Sequence, residues 1–306
     1  MSVTEDLPVA RTGSFAAWLE LTKPRIISLV LFTGLPALLL AAQGWPAPAL
    51  LWGTLAGIAL SAASAASFNH YFDRDIDALM KRTRTRPLPS GALPPAAAVG
   101  LGFVLAALAT WVLLATSNVL AAAIALVSIF YYAVIYTVWL KRRTPLNIVI
   151  GGAAGASAPL IAWAAVTGTV ELPAILLASI IFLWTPPHFW ALSLYRRDDY
   201  ERAGIPMLPV THGEEETRRQ ILLYTLVLVG CTLVVAPLSG LGVTYLLSAA
   251  FLGSLFIWGA VKLYREPGTP TAQGLFRFSI LYLFALFLMM CVDALITVMH
   301  VGGRAS

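Results

Sequence analysis

Nine apolar stretches dominate this chain, at approximately residues 25–43, 48–68, 95–115, 119–140, 146–167, 173–195, 220–238, 242–263 and 275–298. Each is close to the ~20 residues that an α-helix needs to cross the hydrocarbon of a bilayer. Unpaired backbone groups are so costly in lipid that only helices and closed barrels span it, and stretches of this length are helices. The chain is 59% hydrophobic and only 11% charged over 306 residues, whereas soluble domains carry roughly 25% charged residues. The expected fold is therefore all-α: one membrane domain over residues 1–306, an integral bundle of nine transmembrane helices. Residues 1–22 would form a cytoplasmic N-terminal segment.

Charge placement sets the expected orientation. Arg11, Lys23, Arg25, the cluster Arg74–Arg86, Lys141–Arg143, Arg196–Arg219, Lys262, Arg265 and Arg277 fall on one side of the bundle, and only Arg304 on the other. The positive-inside rule then puts the N-terminus in the cytoplasm and the C-terminus outside. The net charge of +5 reports orientation and contact with anionic membrane lipid, not nucleic-acid binding. Residues 1–22 have no continuous apolar core, so no cleavable signal peptide is expected. Cys231 and Cys291 both lie inside spans and lack metal-ligand spacing, which leaves packing as their role.

The outside connections are short, whereas the inside connections hold nearly all the polar residues. Function is therefore expected at the cytoplasmic face. The two longest inside connections follow spans two and six, and both begin with an acidic cluster: Asp73–Asp77 and Asp198-Asp199-Tyr200-Glu201. That placement suggests two parallel four-helix halves plus one extra helix.

The first cluster carries the sharpest chemistry. Asn69, Asp73 and Asp77 drift only about 40° per step and share one helix face. Side chains four apart on a helix sit roughly 5–6 Å from each other. Two carboxylates so placed suit a hard divalent cation such as Mg²⁺, which completes its octahedron with water or phosphate oxygens. The basic run Lys81, Arg82, Arg84 and Arg86 follows and would meet the remaining charge of a diphosphate. A charged, solvated helix end is the plain alternative. Against it stands Asn69, a polar residue amid apolar and small neighbours that needs a cavity or a partner.

Span six reads ILLASIIFLWTPPHFWALSLY and runs into RRDDYER. Counting from His188, Leu192, Tyr195 and Asp199 fall on one helix face at i+4, i+7 and i+11, with His188 about 16 Å deeper than Asp199. That is a charged mouth above a histidine and aromatics, although His188 could instead satisfy carbonyls freed by Pro186 and Pro187. Near span five, Asn147 follows Lys141-Arg142-Arg143 and precedes Gly151 and Gly155, a small-xxx-small pair that allows close helix approach. Packing alone explains such glycines in most membrane proteins, and positive-inside bias explains the basic triplet as well as function does, so Asn147 is the better site candidate. Asp293, near the outer end of the last span, is read as interfacial or locally paired.

The string Asn69-x-x-x-Asp73-x-x-x-Asp77, followed by Met80-x-Arg82-Thr83-x-x-Arg86-Pro87-Leu88, resembles the UbiA superfamily of intramembrane prenyltransferases. Tyr136-Thr137, Leu140-Lys141-Arg142, Asn147-Ile-Val-Ile-Gly-Gly152, Pro186-Pro187-His188-Phe189-Trp190 and Asp199-Tyr200 through Met207-Leu208-Pro209 are similar to its haem-farnesylating branch. The resemblance covers nearly the whole chain. It implies that farnesyl diphosphate, held on Mg²⁺, alkylates a vinyl group of protohaem IX (haem B) with addition of water. Haem is then a substrate, not a prosthetic group. The bacterial inner membrane is the implied location, with haem A synthase as a downstream partner.

The implied catalytic set is Asn69, Asp73, Asp77, Asp199 and His188, with Asn69, Asp73, Asp77 and Asp199 as metal ligands. Arg82, Arg86, Lys141, Arg142, Asn147 and Tyr200 are the implied diphosphate contacts. One departure concerns Asp198-Asp199-Tyr200-Glu201-Arg202, which has no aspartate four positions on from either acid. A second metal held as in many relatives is therefore in question. Two other readings compete. One is a related enzyme acting on a quinone or chlorophyll precursor, against which His188-Phe189-Trp190 and Asp199-Tyr200 argue through resemblance. The other is a transporter, against which the polar residues sit at one face only and no chain of ionisable residues crosses the bilayer.

Overall fold

The computed structural model describes residues 13–302, with side chains described as far as residue 296. Among the described residues all regular structure is helical and nine helical segments are long and apolar enough to cross a membrane. A short surface helix α1 (Phe15–Leu21) leads into α2 (Pro24–Ala41), α3 (Pro48–Leu79) and α4 (Pro95–Thr116). The fourth span is α5 (Val119–Phe130) continued by a π-helical segment, Tyr131–Leu140. The fifth is divided at Ala156 into α6 (Asn147–Gly155) and α7 (Ser157–Thr167). Then come α8 (Leu172–Tyr195), the short α9 (Arg197–Arg202) and α10 (Leu208–Thr211), and the last spans α11 (Gly213–Leu238), α12 (Val243–Arg265) and α13 (Thr269–Gly302).

The helix starts follow local chemistry. Spans α2, α3, α4 and α8 carry proline in the first turn, where the missing N–H costs no hydrogen bond. Asn118 caps α5 by accepting from the Ala121 amide, and its Nδ2 donates to the Ala164 carbonyl at 2.7 Å, tying α5 to the end of α7. Asp293 plays the same part between helices. Its carboxylate accepts from the Gly242 and Tyr245 amides, so α13 caps α12. Cys231 and Cys291 are free thiols.

Three helices run further than apolar length alone implies. The α3 helix continues to Leu79, so the first acidic cluster stands on a rigid helix. The α11 and α13 helices begin at Gly213 and Thr269, because amphipathic turns extend them beyond the hydrocarbon. The α3–α4 and α8–α11 pairs, spans two and three and spans six and seven, make the two most extensive helix interfaces. Small residues permit the first of these. A Cβ on Gly57 would fall 2.4 Å from the Leu113 side chain, and one on Gly102 would fall 2.8 Å from Phe68. Tyr245, Phe256, Tyr282 and Phe287 are fully buried in the interior, whereas Trp52, Phe103, Trp111, Phe251 and Trp258 project outward. An apolar exterior of that kind suits acyl chains and not water.

Candidate active site

The start of α2, the end of α3, the end of the π-helical segment, the start of α6 and the end of α8 all reach one membrane boundary. This mouth gathers the polar residues of the chain. Asn69, Asp73 and Asp77 are all buried on α3, while Asp75 is 62% exposed on the opposite side, as the helical period requires.

Each of the three buried groups holds a cation from a different part of the chain. Lys23 donates to Asn69 Oδ1 at 2.5 Å. Lys141 pairs with Asp73 Oδ2, which also accepts from Asn69 Nδ2 at 2.7 Å. Arg86 pairs with Asp77 Oδ2 at 2.8 Å. Thr137 and Thr83 complete the frame, the first accepting from Asn69 Nδ2 at 3.1 Å and the second donating to the Asp77 carbonyl at 2.9 Å. The partner that Asn69 requires thus exists.

The π-helical backbone aims two of these groups. Thr137 Oγ1 donates to the Tyr132 carbonyl and the Lys141 amide donates to that of Tyr136, both five residues back. Such wide turns recur at functional sites. Gly151 lets this segment lie close to α6, because a Cβ there would meet the Tyr136 ring at 2.3 Å. Gly155, its partner in the small-xxx-small pair, has nothing within 4 Å of a Cβ position. Only Gly151 serves close packing.

Lys23 was legible in the sequence only as a boundary charge. Its backbone is left-handed, with φ 53°, a conformation that costs a non-glycine residue roughly 1–2 kcal/mol. Burial pulls its ammonium down to about 7, with Arg86 and Lys141 pushing the same way and Asp73 and Asp77 opposing them. Lys23 and Tyr132 also line a cavity that runs from the polar cluster between α2, α3, α5 and α6–α7, walled by Ile27, Val30, Ala62 and Gly155 among others. A polar head and an apolar tail thus have adjoining places.

The remaining predicted residues sit as follows. Asn147 is fully buried, and its Nδ2 donates to the Thr144 carbonyl at 2.7 Å, bracing the turn that carries Lys141. Its Oδ1 is buried without a partner. Arg142 turns away from the buried carboxylates and forms a two-pronged pair with Asp75 at 2.7 Å. Arg82 is exposed, within electrostatic reach of Tyr136 and Tyr195. Tyr200 is buried and packs with Ile76 and Met80 of α3, which brings the second acidic segment against the first. Asp199 itself pairs with Arg202 one turn on.

Two expectations for span six change. The α8 helix ends at Tyr195, and Arg196 leaves helical geometry with ψ 18°. Asp199 therefore belongs to α9, whose acidic first turn suits a helix N-terminus. The continuous face from His188 to Asp199 does not exist. Nor does His188 satisfy the carbonyls freed by the prolines. Its Nδ1 lies 2.6 Å from Ser279 Oγ, which donates to the Phe276 carbonyl at 2.6 Å. With that hydrogen committed, Nδ1–H donates to Ser279 and Nε2 keeps its lone pair. The ring is stacked between Trp184 and Phe276, at 4.2 and 4.6 Å.

The cluster suits Mg²⁺. No group of three His, Cys, Asp or Glu side chains able to hold a metal occurs among the described residues. Asp73 Oδ1, however, is buried without a hydrogen-bond partner. Two carboxylates on one face are the small protein share that Mg²⁺ takes when phosphate oxygens supply the rest.

Known proteins match this chain in sequence and in fold. The profile of the UbiA prenyltransferase family matches residues 30–288. The chain is 47% identical over 306 residues to the protoheme IX farnesyltransferase of Parvibaculum lavamentivorans, covering 99% of this chain and 95% of that protein. It is 50% identical over 277 residues to the protein of the same name from Roseiflexus castenholzii, covering 90% of this chain and 52% of that longer relative. Among solved structures, digeranylgeranylglyceryl phosphate synthase in membranes is similar with a TM-score of 0.76 at 21% identity, covering 92% of this chain and 98% of that one. A UbiA homologue from Archaeoglobus fulgidus bound to GPP and Mg²⁺ has a TM-score of 0.62 at 16% identity, covering 90% and 99%. By the match of sequence over most of the chain, with a fold to suit, this chain belongs to the UbiA prenyltransferase family.

Proposed function

We propose that the chain transfers the farnesyl group of farnesyl diphosphate to a vinyl group of protohaem IX, with addition of water, giving haem O. The observation that carries this reading is end-to-end similarity, at nearly half identity, to the P. lavamentivorans protoheme IX farnesyltransferase. The buried cluster supplies the chemistry. Asp73 and Asp77, with Asn69 beside them, would hold Mg²⁺, the ion bound with GPP in the A. fulgidus homologue. When bound, the ion neutralises charge on the diphosphate.

Lys23, Lys141, Arg86 and Arg82 surround the same space, and the positive charge gathered there favours the departing diphosphate more than the intact ester. The C1–O bond of the donor breaks and its electron pair leaves with the diphosphate. The resulting allylic cation lies against Tyr132 and the apolar cavity wall, shielded from water. The terminal vinyl carbon attacks it, and the new cation forms on the carbon next to the macrocycle. Water adds there and loses a proton, giving the hydroxyethylfarnesyl group. We place the mouth at the cytoplasmic face of the bacterial inner membrane, with the N-terminus inside and the C-terminus outside. The charge asymmetry supports this orientation.

The test is the pigment of membranes expressing the chain with farnesyl diphosphate supplied, and again with EDTA added. Haem O in the first case and none in the second is expected. A prenylated quinone or chlorophyll precursor in place of haem O would replace the acceptor, and unchanged product in chelator would end the metal assignment.

A further inference from the structure

At the same face of the bundle, the ends of α8, α11, α12 and α13 enclose a second cavity of about 160 Å³, lined by Tyr195, Glu214, Arg218, Leu263, Gly268 and Thr269 among others. Its dominant group is Arg218. The side chain is 15% exposed, and its Nε is buried without a hydrogen-bond partner. The nearest counter-charge is Glu214, 3.6 Å away and thus beyond hydrogen-bond range. Glu214 is itself 48% exposed and shared with Arg197 at 3.7 Å. The Nε of Arg197 is likewise buried and unmatched.

Two guanidiniums against one carboxylate leave this cluster one net positive charge. A guanidinium carries five N–H donors in a fixed fork that fits a carboxylate or phosphate. Leaving an Nε–H unmet out of water is costly, and each of the two guanidiniums has one. The first turn of α13, at Thr269, adds the positive end of a long helix to the cavity wall.

The surroundings favour a substrate carboxylate over a lipid phosphate. Tyr195, which lines the cavity, packs edge-on to Phe276 at 6.0 Å, and Phe276 stacks on His188. Tyr195 also lies within electrostatic reach of Arg82 and Tyr200 at the diphosphate mouth. Ring contacts thus connect the cavity, through Tyr195 and Phe276, to His188. Seven residues separate Tyr195 from His188, or ~10 Å along α8, the scale of half a substituted macrocycle.

We propose that Arg218, backed by Arg197, binds a propionate carboxylate of the tetrapyrrole acceptor and so fixes which edge of the ring meets the prenyl donor. The proposal rests on the acceptor named above. Protohaem carries its propionates on one half of the macrocycle and its vinyls on the other. With the acid edge held at α11 and α13, the vinyl edge points across the mouth toward α3 and the diphosphate. Arg218 is a specificity-determining residue that touches the acceptor far from the reacting atoms.

Soret titrations of the detergent-purified full chain test this, using protohaem and its dimethyl ester on wild type, Arg218→Gln and Arg218→Lys. Wild type should bind the diacid at least about tenfold more tightly than the diester, the range expected for a charge-assisted pair. Arg218→Gln should remove that preference by weakening the diacid alone, and Arg218→Lys should restore part of it. Equal affinity of wild type for the two ligands overturns the proposal without any variant. So does an equal loss of both ligands in Arg218→Gln. Unchanged haem affinity with lost stabilisation by phosphatidylglycerol vesicles would assign Arg218 to a lipid phosphate instead. Wild type that binds neither porphyrin would overturn the acceptor reading itself, a result distinct from the others.

Discussion

Lys141 reaches Asp73 across 68 positions of sequence and shares the Oδ2 atom with Asn69 Nδ2, while the other carboxylate oxygen stays buried and unpaired. One oxygen is thus committed to protein donors and the other is left for an incoming cation. The pair also fixes the end of the π-helical segment against α3. Function and packing meet in a single ion pair.

Losing one member of such a pair strands the other. Lys141→Met should destabilise the protein by about 3–5 kcal/mol, because Asp73 would be left buried and uncompensated. Adding Asp73→Asn to Lys141→Met should recover most of the melting temperature but none of the turnover. Thermal melts and product assays on the two variants check both halves. Equal melting of single and double variants would mean that water reaches Asp73.

The three aspartates of α3 should separate sharply. Asp73→Asn and Asp77→Asn are expected to lower turnover by two orders of magnitude or more in a folded protein, as the leaving-group charge loses its match. Asp75→Asn should cost well under tenfold, and Arg142→Ala about the same, since the exposed Asp75–Arg142 pair is worth little. A severe loss in Arg142→Ala would return that residue to the diphosphate site.

Gly151 and Gly155 should differ although they lie one turn apart. Gly151→Ala forces a Cβ into the Tyr136 ring, so turnover and stability should fall together. Gly155→Leu has room at its Cβ but extends into the apolar cavity. Expected is a shift of preference from farnesyl to geranyl diphosphate, read as the ratio of kcat/KM for the two donors. No shift would place the tail elsewhere.

His188 is held by Ser279 in the tautomer that leaves Nε2 free. His188→Ala should weaken haem binding and change the Soret band. Ser279→Ala should do the same to a smaller degree, because the ring loses its orienting partner. Titrations that show neither change would remove His188 from the acceptor site.

Much of this was legible in the residues, and the exceptions have causes. The spans could be read because hydrocarbon thickness fixes apolar length, and the α3 face because Asn69, Asp73 and Asp77 repeat every fourth position. The break at Arg196 left no proline or glycine to mark it. Lys23 enters the site only through a left-handed residue just before Pro24. Arg142 is diverted to Asp75 because the turn after Leu140 points adjacent side chains to opposite sides of α3. Tertiary placement decided each of these, and no local pattern records it.

The ten residues Tyr131–Leu140 set the angular phase of everything that follows them. A wide-turn segment accommodates more chain per turn than an α-helix does. Substitutions that returned it to ordinary α-helical winding, with no residue removed, would leave a span that still crosses the membrane. The extra residue no longer taken up in a wide turn would swing Lys141 by about 100° about the helix axis, off Asp73. A change of winding that membrane insertion would never detect should therefore silence the enzyme, which makes this span a dial and not merely a strut.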